Sequence, residues 1–214
     1  MPRLDIKICG LSTPDTLAAA LHRGASHVGF VHFPKSPRHL ALDRLIGLAA
    51  STPGHIGRTA VLVDPDDELI NAIAESRAID ILQLHGGESA SRAAEIGSRT
   101  GLKVWKAISV KRAEDIASAN AYMGAVDRIL FDAKTPDGAA LPGGMGLRFD
   151  WTLLHDYRGA LPWGLSGGLD PDNVSAAVAQ TGARLVDVSS GVESAPGVKD
   201  VDKIAAFCKA VNVS

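Results

Sequence analysis

Eight short runs of β-branched and apolar residues recur along this chain, separated by stretches with helical periodicity. The runs are Leu4–Cys9, His27–Phe33, Thr59–Val63, Ile79–Leu84, Lys103–Ile108, Arg128–Asp132, Trp163–Ser166 and Leu185–Ser189. The last helical stretch is the clearest: Val201, Ile204, Ala205, Cys208 and Val211 fall on one face of a helix. Ser12-Thr13-Pro14-Asp15 and Asp170-Pro171-Asp172 each offer a cap followed by a proline suited to a first turn. Short buried strands alternating with helices predict a parallel sheet built of βα units. Eight such units in 214 residues predict an α/β fold, a single (βα)8 TIM barrel forming one domain over residues 1–214. A doubly wound open sheet is the main competitor. It more often carries a glycine-rich fingerprint after its first strand, and Cys9-Gly10-Leu11-Ser12 is not one.

Charge narrows the partners. Lys and Arg total 22 against 24 Asp and Glu, a formal net charge of -2, and no basic run stands out. The chain therefore lacks the electrostatic footprint of a nucleic-acid or anionic-membrane binder. A local anion site remains open to it, because backbone N–H groups make one without net charge. The N-terminus carries Arg3, Asp5 and Lys7 with no apolar segment behind them, so no signal peptide is expected. No apolar run approaches the roughly 20 residues needed to span a bilayer. A cytoplasmic protein is the expectation. The two cysteines, Cys9 and Cys208, lie near opposite ends of the chain with no close Cys/His spacing, so neither a zinc site nor a disulfide framework is expected.

In such a barrel the chemistry sits at the C-terminal ends of the strands. Here those ends hold Cys9, Ser36-Pro37-Arg38, Asp64, Gln83-Leu84-His85-Gly86, Asp132, Ser166-Gly167-Gly168-Leu169 and Asp187-Val188-Ser189-Ser190-Gly191. Reactive and anion-binding residue types gather at one end. The long connection Ala133–Asp150, with Pro136, Gly138, Pro142, Gly143, Gly144 and Gly146, follows the sixth strand and is expected to form an active-site flap.

The loops after strands 7 and 8 commonly hold phosphate in this architecture. Gly167 and Gly168 let backbone approach an anion, and Ser190 and Gly191 offer N–H donors with the Ser190 hydroxyl beside them. Two ordinary glycine turns are the bland alternative, and their pairing at strands 7 and 8 favours phosphate. Cys208 reads as a small core hydrophobe. Cys9 differs: it ends a strand and precedes a glycine, which places it at the barrel mouth. A thiolate there could abstract a proton, provided a positive charge lowers its ordinary pKa of about 8.5. Lys7 alternates onto the same face of that strand, and the alternative is a lysine too deep for the thiol and paired elsewhere. Asp132 follows Ile129-Leu130-Phe131 and is either a turn cap or a partly buried proton donor. Arg38 suits a fork-like contact to a carboxylate, and the alternative is a solvated loop arginine. His85 is either a hydrogen-bond donor in the site or a satisfied core histidine.

Several motifs are similar, in order and over nearly the whole chain, to those of the phosphoribosylanthranilate isomerase family of tryptophan biosynthesis. They are Lys7-Ile8-Cys9-Gly10-Leu11, Gly29-Phe30-Val31, Ser36-Pro37-Arg38, Gln83-Leu84-His85-Gly86, Ser166-Gly167-Gly168-Leu169 and Asp187-Val188-Ser189-Ser190-Gly191-Val192-Glu193. Gly197-Val198-Lys199-Asp200 also resembles that family's lead-in to its last helix. The resemblance implies an Amadori rearrangement of a phosphosugar derivative without metal or organic cofactor. It implies Asp132 as the acid that opens the ribose ring and Cys9 as the base that takes the proton from C2. Arg38 would bind the anthranilate carboxylate, and the Gly167–Gly168 and Ser190–Gly191 loops the phosphate. His85 and Asp187 would line the pocket. Met145 stands where family members often carry threonine, and His32 where they often carry an aromatic residue.

Three rivals stand beside this reading. The sister isomerase of histidine biosynthesis carries an aspartate where Cys9 stands. A phosphosugar lyase or epimerase could share the scaffold. A non-catalytic phosphosugar-binding protein would keep the glycine loops without needing Cys9 and Asp132 together. Either a monomer or a homodimer is compatible with the sequence.

Overall fold

The structure, a computed structural model, describes residues 4–133, 146–155 and 157–212. Eight parallel strands close into a barrel in sequence order: β1 (Asp5–Cys9), β2 (His27–His32), β3 (Gly57–Leu62), β4 (Ile81–Leu84), β5 (Lys103–Val110), β6 (Arg128–Ala133), β7 (Trp163–Leu165) and β8 (Leu185–Val188). Each lies within two residues of the run read from the sequence. β1 closes the ring by pairing with β2 on one side and β8 on the other, which sets Cys9 opposite Gly29 and Lys7 opposite Asp187.

Outside the barrel run α1 (Pro14–His22), α2 (Leu42–Ala50), α3 (Asp67–Ser76), α4 (Ala90–Thr100), α5 (Ala113–Ala117), α6 (Val174–Thr181) and α7 (Val201–Asn212). Thr13 caps α1 by accepting from the Thr16 N–H, with Pro14 in the first turn. Asp170 instead caps a turn, accepting from Asp172 and Asn173, and α6 begins after it. On α7 the buried stripe is Ile204, Phe207, Cys208 and Val211, whereas Val201 is exposed. Cys208 packs in the core, where burial pushes its thiol up to about 11.

The alternation weakens late in the chain. Between β5 and β6 a five-residue α5 passes into a 3-10 turn, Ser118–Tyr122. Between β6 and β7 the described residues hold only the 3-10 turn Trp151–Leu154. Gly159 and Pro162 break helical periodicity there. The outer face of β6 is covered instead by aromatic rings, with Phe131 meeting Tyr157 edge-on at 5.1 Å and Trp163 at 5.8 Å. Of the expected flap, residues 134–145, including Pro136, Gly138, Pro142, Gly143, Gly144 and Met145, lie outside the described residues. A hairpin unforeseen in the sequence, β9 (Glu193–Ala195) with β10 (Val198–Lys199), precedes α7. Asp200 then caps α7, accepting from the Asp202 and Lys203 N–H groups. Among the described residues no helix is long and apolar enough to cross a membrane.

Inside the barrel a small core of Ile81, Trp105, Ala107, Leu130 and Leu185 plugs the centre. Below it, His27 stacks on Trp105 at 5.1 Å, and the Arg128 guanidinium lies 5.0 Å from the Trp105 ring. Burial, helped by the Arg128 charge, holds the His27 pKa at about 4, so the folded barrel favours a neutral ring. The folded pKa is depressed below the ordinary 6.5, so this stability is complete above pH 6.5 and is lost as pH falls toward 4. The full effect is about 3 kcal/mol. Replacing His27 by Gln should flatten the fall of the urea midpoint between pH 6.5 and pH 4. An unchanged acid slope would refute this source.

Candidate active site

The C-terminal mouth opens into a cavity of about 800 Å³, part of it open to solvent. Its walls include Cys9, Arg38, Gln83, His85, Asp132, Gly167, Gly168, Asp187 and Ser190. Eight of the nine residues singled out from the sequence therefore share one space. The ninth, Gly191, stands behind the wall: a Cβ there would strike the Leu169 carbonyl, so this glycine lets the loop after β8 pack on the loop after β7.

Cys9 ends β1 and is 7% exposed, enough to touch the cavity. Lys7, two residues earlier on the same inward face, is fully buried and donates to Asp187 Oδ1 at 2.9 Å. Gly29 makes this crowding possible, since a Cβ on it would lie 2.8 Å from Cys9 Sγ and 3.1 Å from Lys7 Nζ. Burial pushes the Cys9 thiol up; Lys7 pulls it back, Asp187 adds to the rise and Lys199 opposes it. Burial also works against the Lys7 charge, but Asp187 and Cys9 outweigh it and its pKa sits above the ordinary value.

Across the cavity, Asp132 is 4% exposed near the end of β6. Its Oδ1 accepts from the Ala133 N–H at 2.9 Å and its Oδ2 lies 3.1 Å from His85 Nε2. His85 therefore lines the cavity beside Asp132. The loop carrying His85 is braced by buried Glu88, which accepts from the Gly86 and Asp64 N–H groups and from Lys106 Nζ at 3.0 Å. Gly167 and Gly168 both take positive φ, +87° and +64°, a region open to glycine. A Cβ on Gly167 would meet the Ala133 N–H and Asp132 Oδ1, so the glycine loop lies directly against the Asp132 carboxyl.

Arg38 is not a solvated loop arginine. It is 6% exposed, and its Nε and Nη2 donate to the two carboxyl oxygens of Glu193, each at 2.7 Å. Glu193 also accepts from Lys199 Nζ at 2.6 Å and from the Gly197 N–H, and Lys199 donates to the Ser189 carbonyl. Burial opposes the Glu193 charge, but Arg38 and Lys199 outweigh it and hold its carboxyl below the ordinary range. Burial takes Lys199 down to about 8, against the pull of Glu193. The β9–β10 hairpin thus carries the carboxylate that holds the Arg38 guanidinium. In the sequence its only signal is a Glu and a Lys within the two closing motifs. Glu193→Gln would leave two buried cations sharing a neutral amide. We expect a stability loss of about 3–5 kcal/mol by urea unfolding, and a KM raised about tenfold or more, as expected when a charge-assisted contact worth about 1.5–3 kcal/mol is disturbed. Unchanged values of both would refute the buttress.

Among the described residues no group of His, Cys, Asp and Glu could hold a metal ion. Both cysteines are free thiols. What the mouth brings together is a thiol, a carboxyl, a guanidinium and two positive-φ glycines around one cavity.

Comparison with known proteins shows the family. The family model described as N-(5'phosphoribosyl)anthranilate (PRA) isomerase matches residues 6–210. A relative from Zymomonas mobilis subsp. pomaceae, N-(5'-phosphoribosyl)anthranilate isomerase, is 54% identical over 209 residues, 97% of each chain. The crystal structure of phosphoribosyl anthranilate isomerase from Thermotoga maritima superposes with a TM-score of 0.88 at 34% identity, covering 99% of this chain and 100% of that one. Another structure of phosphoribosyl anthranilate isomerase was solved in complex with reduced 1-(o-carboxyphenylamino)-1-deoxyribulose 5-phosphate. It superposes with a TM-score of 0.85 at 32% identity, covering 99% of this chain and 100% of that one. With its family model matched almost end to end and its relatives aligned over nearly their full length, this chain belongs to the N-(5'-phosphoribosyl)anthranilate isomerase family.

Proposed function

We propose that this chain converts N-(5'-phosphoribosyl)anthranilate to 1-(2-carboxyphenylamino)-1-deoxy-D-ribulose 5-phosphate, an aldose–ketose isomerisation of tryptophan biosynthesis. The observation that carries this reading is the convergence of Cys9, Asp132, Arg38 and the glycine loops on one cavity. The phosphate lies against Gly167, Gly168 and the Ser190 N–H and hydroxyl. Arg38, held by Glu193, faces the anthranilate carboxylate. These two anchors fix the ribose between the walls, so the reacting groups meet without a search.

Asp132 donates a proton to the furanose oxygen. The C1–O bond breaks, and the nitrogen lone pair forms the protonated Schiff base. Cys9, as thiolate, removes the proton from C2, and the electron pair moves through C1 to neutralise the iminium. The resulting enolamine tautomerises to the ketone. His85 exchanges the proton that Asp132 spends, and Asp187 lines the pocket beside Lys7. Ring opening needs an acid and enolisation a base at one pH, which their different surroundings provide. The reading takes residues 1–214 as one catalytic domain that needs neither metal nor organic cofactor, works in the cytoplasm, and binds a small phosphosugar rather than nucleic acid or membrane. The described site residues come from one chain, so a monomer suffices and a homodimer is compatible.

The test is a fluorescence assay with freshly prepared phosphoribosylanthranilate. Protein-dependent loss of substrate fluorescence is expected. A loss no faster than spontaneous decay would overturn the reading.

A further inference from the structure

The site presents a problem of charge: a thiol inside a low-dielectric wall must act as a base. Cys9 cannot use Arg38, whose forked edge is committed to Glu193. His85 and Asp132 stand on the opposite wall. The charged groups facing Cys9 from the packed elements are Lys7 on its own strand, Asp187 on β8 and Lys199 on β10, while β2 presents the bare backbone of Gly29. Among these, the Lys7 and Lys199 side chains are both enclosed, but Lys199 already spends its donors on Glu193 and on the Ser189 carbonyl and hydroxyl. A fully buried ammonium is costly unless its donors find partners. Among the described residues the oxygen acceptor of Lys7 is Asp187 Oδ1, one partner for a three-donor group, and a Cβ built on Gly29 would lie 2.8 Å from Cys9 Sγ and 3.1 Å from Lys7 Nζ, so sulfur and ammonium border the same space.

We propose that Lys7 is a positioning residue that sets the thiolate population of Cys9, with Asp187 as the counter-charge that limits it. This rests on the reading of Cys9 as the base. In the step itself the Cys9 S–H bond breaks, the proton passes to water at the cavity mouth, and the electron pair stays on sulfur beside the Lys7 ammonium. Asp187 keeps Lys7 in register through the β1–β8 pairing, and competes with the thiolate for its charge. The absence of a side chain at residue 29 is part of the device: any Cβ there would push sulfur and ammonium apart.

The test is the pH dependence of Cys9 alkylation by iodoacetamide, followed by mass spectrometry of the Cys9 peptide, which reads the thiolate without needing turnover. In Lys7→Met the midpoint should rise by about one pH unit or more, and the rate at pH 7 should fall about tenfold. The acidic limb of kcat/KM should move with it. In Lys7→Arg, which keeps the charge, the midpoint should remain nearer that of the unaltered protein. In Asp187→Asn, which frees Lys7 to serve the sulfur alone, the midpoint should fall. Opposite movements in Lys7→Met and Asp187→Asn are the signature, because a merely structural role would not produce them. Unmoved midpoints, or movement in the same direction, overturn the proposal. If Lys7→Met does not fold, Asp187→Asn decides: a lower midpoint supports the proposal and an unchanged or higher one overturns it. A protein with the expected shifts but no isomerase turnover would condemn the functional reading and not this one.

Discussion

Asp132→Asn should lower kcat by about 10²- to 10⁴-fold, the scale expected for loss of a positioned acid, while leaving the binding of phosphate ligands nearly intact. The substitution is close to isosteric. The Asp132 Oδ1 acceptor for the Ala133 N–H can be kept by the amide oxygen, and the amide nitrogen can face His85 at the 3.1 Å now spanned by Oδ2. Gly167 leaves room beside the carboxyl whichever group stands there. What the amide cannot do is give a proton to a ring oxygen, so the furanose stays closed and the later steps have no substrate. His85→Ala should cost less, because it removes the partner and not the donor. The measurement is single-turnover kinetics paired with calorimetric titration of inorganic phosphate. Normal turnover in Asp132→Asn would end its assignment as the acid. Lost phosphate binding with an intact fold would mean that the carboxylate serves the anion loop instead.

The strands and the mouth were legible because a parallel barrel strand is buried on both faces and reads as one apolar run. Ile129-Leu130-Phe131 and Val28-Gly29-Phe30-Val31 needed no partner to be recognised, and whatever ends such a run points into the mouth. Ion pairs were not legible. Lys7 meets Asp187 across 180 residues of chain because β8 closes on β1, and Arg38 meets Glu193 across 155 because the β9–β10 hairpin folds back under the loop after β2. Sequence spacing carries no trace of either contact. The same holds for the late helices. Tyr157 and Trp163 close over Phe131 of β6 by ring contacts, with no α-helix between β6 and β7 among the described residues, and only the packing reveals it. Gly29 stands in a motif whose spacing says nothing of its role; that role lies in the Cys9 Sγ and Lys7 Nζ atoms that a Cβ there would crowd.

Cys9→Ala should reduce turnover by about 10²- to 10⁴-fold, the range for loss of a positioned base, and should do so at a different step from Asp132→Asn. Alanine removes the sulfur from a barrel wall where Val31 and Val61 already pack, so the cavity changes little beyond the lost atom. Asp132, His85 and the glycine loops are untouched, and ring opening to the Schiff base continues. Removal of the C2 proton does not. Substrate deuterated at C2 separates the two variants. The unaltered protein should form product with a primary isotope effect whenever proton removal limits the rate. In Cys9→Ala the residual turnover should be limited wholly by that removal and show the full effect. In Asp132→Asn the residual turnover is limited by ring opening, and the effect should vanish. Cys9→Ser sharpens the point, because a hydroxyl keeps the size and the hydrogen-bonding capacity but ionises far less readily than a thiol. If serine restored most of the activity, or if both variants showed the same isotope effect, then sulfur would not be the base, and the opposite walls of this cavity would not divide the reaction between them.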